Sequence, residues 1–190
     1  MSGAGKSTVC EVFESGGFEV IDCDRCAHAV TMAGMPCVAE LAAALSPEIL
    51  NEDGSLNRRA TGKLIFSDPE KRAVFNSVVY PYIRYRIIEL IKLYAKVGLD
   101  VLLDAPTLFE ARLDGICTDI VSVCADTERC AQRIMQRDCI SYEDAVNRLK
   151  SQHDIEFFRR NSDIVIENNG TCEELFEAAR EVVEKLKGDT

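Results

Sequence analysis

Short, largely apolar runs alternate with stretches of helical periodicity along most of the chain, and this alternation limits the fold more than any other feature. Phe18-Glu19-Val20-Ile21 ends at Asp22, Leu99–Leu103 ends at Asp104, Ile120–Cys124 stops before Asp126, and Ile164–Ile166 stops before Asn168. Runs of this length suit parallel strands covered on both faces, which need no polar alternation. The helical stretches between them supply the crossovers that parallel strands require. The pattern predicts an α/β protein built on a parallel sheet. At 190 residues the chain is long enough for one well-buried domain carrying an insertion.

From Pro36 to Val97 the rhythm changes to helices without strands. Asn57 and Asp68 have the chemistry of helix caps, and Pro69 follows the second at the first helical position. Ile83, Ile87, Leu90, Ile91 and Tyr94 recur at helical spacing as one apolar stripe. An insertion of this kind between sheet strands predicts a lobe over the strand ends, where α/β proteins bind ligands. Nearer the C-terminus, Ser141-Tyr142-Glu143-Asp144 and Thr171-Cys172-Glu173-Glu174 resemble capping boxes. The last helix, about 172–186, should place Leu175, Ala178, Ala179, Val182 and Leu186 on one face.

The opening MSGAGKST carries the first chemistry. Gly5-Lys6-Ser7 is the second half of the phosphate-binding pattern G-x-x-x-x-G-K-[ST], whose first glycine would fall one position before Met1. Glycines let backbone N–H groups wrap phosphates, Lys6 can bridge the terminal phosphates, and Ser7 can offer its hydroxyl to magnesium. A helix from Lys6 to Ser15 adds its positive end. In VIDCDRCAH, Asp22 and Asp24 follow a strand: one carboxylate can orient or deprotonate an attacking hydroxyl while the other caps the next helix. Asp104 closes an apolar run as magnesium-organising acids do, or else belongs to a tight Asp-Ala-Pro turn.

The chain has a formal net charge of −10, which excludes a broad nucleic-acid surface. Against that background Arg129, Arg133, Arg137, Arg148, Arg159 and Arg160 form a notable basic cluster. Arg133 and Arg137 share a helical face, and Arg137, at the loop edge, is the one expected to meet a phosphoryl group. Arg129 and Arg160 read as parts of solvated faces. Nine cysteines, scattered and odd in number, predict a reducing cytoplasm with most thiols used as small core residues. The lone CxxC of Cys23 and Cys26 is weak evidence for zinc. No apolar run reaches the ~18 residues of a membrane span.

Taken in order, SGAGKSTV, VIDCDRCAH, DGSLNRRATGKLIFSDPEKRAVFNSVVYP, LLDAPTLFE, RIMQRDCISYEDAVNRLKSQ and SDIVIENNG resemble the blocks of the dephospho-CoA kinase family, over nearly the whole chain. The resemblance implies a P-loop NTPase-type three-layer parallel sheet in a single domain, 1–190, with a helical CoA-binding lobe at about 36–97 and a helical lid at about 137–160. It implies transfer of the γ-phosphoryl of ATP to the 3′-hydroxyl of dephospho-CoA, with magnesium. Gly3, Ala4, Gly5, Lys6, Ser7 and Thr8 would then hold the ATP phosphates, Asp24 would be the base, and Arg137 would lie on the lid. Leu56, Asn57 and Arg58 would belong to the CoA lobe, and Asn168 would fall where the family meets adenine. Tyr80-Pro81 stands where the family usually has His-Pro. The resemblance also implies that the first strand and the front of the loop lie upstream of Met1, which would then be an internal methionine. Two other readings remain open from sequence: a small P-loop kinase for another acceptor, and a non-catalytic nucleotide-binding protein.

Overall fold

All four apolar runs form strands. In chain order the elements are α1 (Lys6–Ser15), β1 (Glu19–Asp22), α2 (Cys23–Val30), α3 (Pro36–Ala44), α4 (Arg58–Ser67), α5 (Pro69–Ala95), β2 (Val101–Asp104), β3 (Val121–Cys124), α6 (Thr127–Asp138), α7 (Tyr142–Lys150), α8 (Ile155–Arg160), β4 (Ile164–Glu167) and α9 (Cys172–Gly188). The computed structural model describes residues 1–188. By internal contact the chain falls into two units, Met1–Val20 with Asp114–Thr190, and Ile21–Leu113.

The first unit is built on the parallel pair β3–β4, in the register Val121↔Ile164 to Cys124↔Glu167. The ladder is extended by Asn168, whose N–H donates to the Cys124 carbonyl at 2.7 Å. Below it, Asp163 accepts from the Ile120 N–H at 2.8 Å. Helix α1 buries Val9, Val12 and Phe13 and packs on α9, whose buried row is Leu175, Ala179 and Val183. Val183 was absent from the expected face, while Ala178, Val182 and Leu186 are half-buried flanks. The row at i, i+4 and i+8 marks the centre of the contact. Gly16 and Gly17 end α1, and Phe18 folds back on Phe13 with ring centroids 5.1 Å apart.

The second unit contains the helical insertion. Helix α5 is 27 residues, about 40 Å long, and α2, α3 and α4 all pack on it. Its buried residues are Val78, Val79, Ile83 and Ile87, with Leu90, Ile91 and Tyr94 half-buried, as the stripe predicted. The caps are also those expected: Asn57 accepts from the Ala60 N–H at 2.9 Å, and Asp68 from Glu70 and Lys71 at 3.0 and 3.1 Å. Strands β1 and β2 pair as a two-stranded sheet. β2 begins at Val101 rather than Leu99 because Asp100 is charged and exposed, which a doubly covered strand does not tolerate. Among the described residues no helix is long and apolar enough to cross a membrane.

Candidate active site

The opening loop is shaped by its glycines and held by residues far along the chain. Gly3 and Gly5 have φ of 72° and 101°, a region that other residues rarely enter. Space also demands them: a Cβ on Gly3 would stand 2.6 Å from the Cys130 carbonyl oxygen, and one on Gly5 2.5 Å from Asn168 Nδ2. Between them Ala4 is fully buried. Its carbonyl accepts from Asn168 Nδ2 at 2.8 Å. Arg133 donates to the Gly3 carbonyl at 3.3 Å and to the Asn168 side-chain oxygen at 3.5 Å. Gln152 and Ser2 bond reciprocally, Ser2 N–H to Oε1 at 3.0 Å and Nε2 to the Ser2 hydroxyl at 2.7 Å. The Met1 ammonium donates to the Val123 carbonyl at 3.3 Å, and burial lowers its pKa.

Helix α1 starts at once from this frame. Gly5 is its N-cap and supplies no side-chain acceptor, and the first bond of helical spacing runs from the Val9 N–H to the Gly5 carbonyl at 3.2 Å. The N–H groups before Val9 therefore have no intrahelical partner, as at any helix start. No acidic residue occupies the first turn, so the positive end of the helix is not neutralised there. Lys6 is half-buried and Ser7 exposed at this end. A helix start with such a dipole and a nearby ammonium is suited to an anion such as phosphate.

Sequence reasoning chose Arg137 over Arg133, and the structure gives the two arginines different tasks. Arg133 serves the loop, as described. Arg137 forms a two-pronged ion pair with Asp138, at 2.7 and 2.9 Å, and Arg148 reaches the same carboxylate at 2.7 Å. These hydrogen bonds hold the Asp138 carboxyl below its ordinary range, that from Arg137 contributing most. The turn from α6 to α7 passes through Cys139 with φ of 53°, and α7 starts on its Ser141 cap. The Arg133 contact had a sequence signal, since it shares a face with Arg137, but its partners lie 130 and 35 positions away. Gln152 gave no signal by itself.

The second unit holds the acids of VIDCDRCAH. Asp22 is the cap of α2, accepting from the Arg25 N–H at 3.0 Å, and Asp24 stands exposed in the first turn. The two carboxylates are thus differently placed: Asp22 accepts a backbone N–H, and Asp24 is exposed. Cys23 and Cys26 are buried beneath them. Burial, with Cys26 and the carboxylates of Asp104, Asp22 and Asp24 adding to it, pushes the Cys23 thiol up to about 12. Burial likewise raises Cys26. Buried thiols with raised pKa are poor nucleophiles. Asp104 ends β2 as expected. Leu56 is buried, Asn57 caps α4, and Arg58 donates to Thr31 Oγ1 at 3.2 Å. Tyr80 is half-buried, and burial raises its hydroxyl.

Known proteins resemble this chain over nearly its whole length. A family model described as Dephospho-CoA kinase matches residues 2–174. The dephospho-CoA kinase of Oryza sativa subsp. japonica is 34% identical over 184 residues, which cover 96% of this chain and 80% of that protein. A crystal structure from Thermus thermophilus superposes with a TM-score of 0.80 at 34% identity, over 97% of this chain and 93% of its own. The dephospho-CoA kinase from Campylobacter jejuni gives 0.73 at 26%, over 98% and 94%. The fold is α/β, of the P-loop NTPase type. Matched by the family model over residues 2–174, this chain belongs to the dephospho-CoA kinase family.

Proposed function

We propose that this chain transfers the γ-phosphoryl of ATP to the 3′-hydroxyl of dephospho-CoA, giving coenzyme A, in the cytoplasm. The observation that carries the reading is the Gly3–Thr8 loop at the start of α1, fixed by Asn168 and Arg133 and lacking any acid in the first helical turn. In this reading the loop N–H groups and Lys6 hold the ATP phosphates in place before the reaction begins. Asp24, exposed in the first turn of α2, takes the proton of the attacking hydroxyl. Residues of about 137–160 act as a lid whose Arg137 meets the charge that develops on the transferring group. The helical region of about 36–97, with Leu56, Asn57 and Arg58, holds the acceptor. Asn168 holds the loop beside which the nucleotide lies.

Among the described residues no group of three or more His, Cys, Asp or Glu side chains could hold a metal ion. In this reading magnesium arrives with the nucleotide, bound by phosphate oxygens and one or two protein oxygens. The exposed Ser7 hydroxyl at the first turn of α1 is the protein oxygen for it. Magnesium, when bound, neutralises charge on the phosphates.

The test is a coupled assay of ATP turnover with dephospho-CoA as acceptor. Asp24→Asn should lower kcat by at least about a hundredfold, the ordinary contribution of a general base, with the KM for ATP nearly unchanged. A parallel loss of ATP affinity would remove Asp24 from the role of base, and failure of the unsubstituted protein to phosphorylate this acceptor while binding ATP would overturn the reading.

A further inference from the structure

Helix α4 carries Arg58, Arg59 and Lys63 and no acidic residue, in a chain whose net charge is −10. Arg58 is spent within its own unit on Thr31. Arg59 and Lys63 are exposed, and among the described residues neither side chain has a hydrogen-bond or ion-pair partner. With Phe66 they stand at i, i+4 and i+7, hence on one face of the helix. The opposite side, through buried Thr61, is the one turned inward, where α4 packs on α5.

Phe66 is 82% exposed, a position where a phenyl ring contributes little to the core. Its ring lies against Gly62, where a Cβ would meet two ring carbons at 3.9 Å. One side of the ring is thus backed by a residue without a side chain, and the rest is open. An open aromatic plane beside two unneutralised cations complements a ligand with a planar base and an adjoining diphosphate.

We propose that the Arg59–Lys63–Phe66 face of α4 receives the adenosine diphosphate part of the acceptor, the ring stacking on the purine and the two cations taking the diphosphate. This rests on the kinase reading and deepens it, because dephospho-CoA carries such a group. Phe66 is then a determinant of acceptor affinity and has no part in holding ATP.

The experiment is steady-state kinetics of the full chain with both substrates varied, together with calorimetric titration of dephospho-CoA alone. Phe66→Ala should raise the acceptor KM and Kd roughly tenfold, the scale of one lost base stack, and leave the KM for ATP and the Tm unchanged. Phe66→Tyr should restore affinity. Arg59→Ala and Lys63→Ala should each weaken acceptor binding and flatten its dependence on salt. An unchanged acceptor Kd in Phe66→Ala overturns the proposal, as does an equal rise in the KM for ATP, which would give the face to the donor. A shift of sedimentation from dimer to monomer in Phe66→Ala, with acceptor binding intact, also overturns it and gives the face to a second copy. A protein that binds dephospho-CoA without phosphorylating it would defeat the kinase reading, while the titrations would still decide the role of this face.

Discussion

Asn168 works at three atoms. Its N–H prolongs the strand ladder to Cys124, its Nδ2 donates to the Ala4 carbonyl, and its Oδ1 accepts from Arg133. Replacement by Ala leaves the buried Ala4 carbonyl without that donor, at a cost of about 1–3 kcal/mol. It also frees the loop between Gly3 and Gly5. Asn168→Ala should therefore lower the Tm and weaken ATP binding together, read by thermal melting and nucleotide titration. A melt shifted as expected with unaltered ATP affinity would show that the side chain supports the fold and leaves the loop's phosphate geometry alone. This role was not legible in the chain, since nothing near Asn168 in sequence names Ala4 as its partner. The glycines were legible as residues of a tight loop, and their positive φ accords with that.

Elements were read best where their signals are local. Asn57, Asp68, Ser141 and Thr171 all cap the helices expected of them, each within a few residues of its acceptor groups. The α6–α7 pair shows where that ends. Equal spacing on one face could not say that Arg133 would turn to the loop and Arg137 to its own neighbour. Asp138 decides it, holding Arg137 and Arg148 together across the turn at Cys139. If Arg137 acts on the transferring group, it must leave this carboxylate, so the pair opposes that step. Asp138→Asn should leave the Tm almost unchanged, because exposed ion pairs contribute little to stability, and should strengthen ATP binding at low salt. Weaker ATP binding in Asp138→Asn would mean that the pair presents the arginines instead of restraining them.

At the scale of the whole molecule, composition indicated an acidic protein with its thiols used as packing, and the buried cysteines agree: Cys23, Cys26, Cys37, Cys124 and Cys130 all lie in the core. Their protonation belongs to the global stability. The Cys23 thiol moves from an ordinary 9.0 to about 12 on folding, and burial also raises Cys37, to about 11. Between these values the unfolded chain has released protons that the folded chain retains, so stability falls as pH rises. The contribution is complete below about pH 9 and is lost as the pH climbs toward the folded values. Thermal melts under reducing conditions should show no thiol-linked change from pH 7 to 9 and a decline above it. A Cys23→Ala, Cys37→Ala double variant should show a shallower decline, and an equal one would place the alkaline loss in other groups.

The carbonyls of Gly3 and Ala4 are held from residues 130 and 164 positions later in the chain. Domains begin to fold as they are synthesised, N-terminal parts first. Here the Gly3 and Ala4 carbonyls gain their donors only once α6 and the residue after β4 have been made. A chain cut short before Asn168 therefore lacks the donor to the Ala4 carbonyl, so the conformation of the Gly3–Gly5 segment is completed late in synthesis.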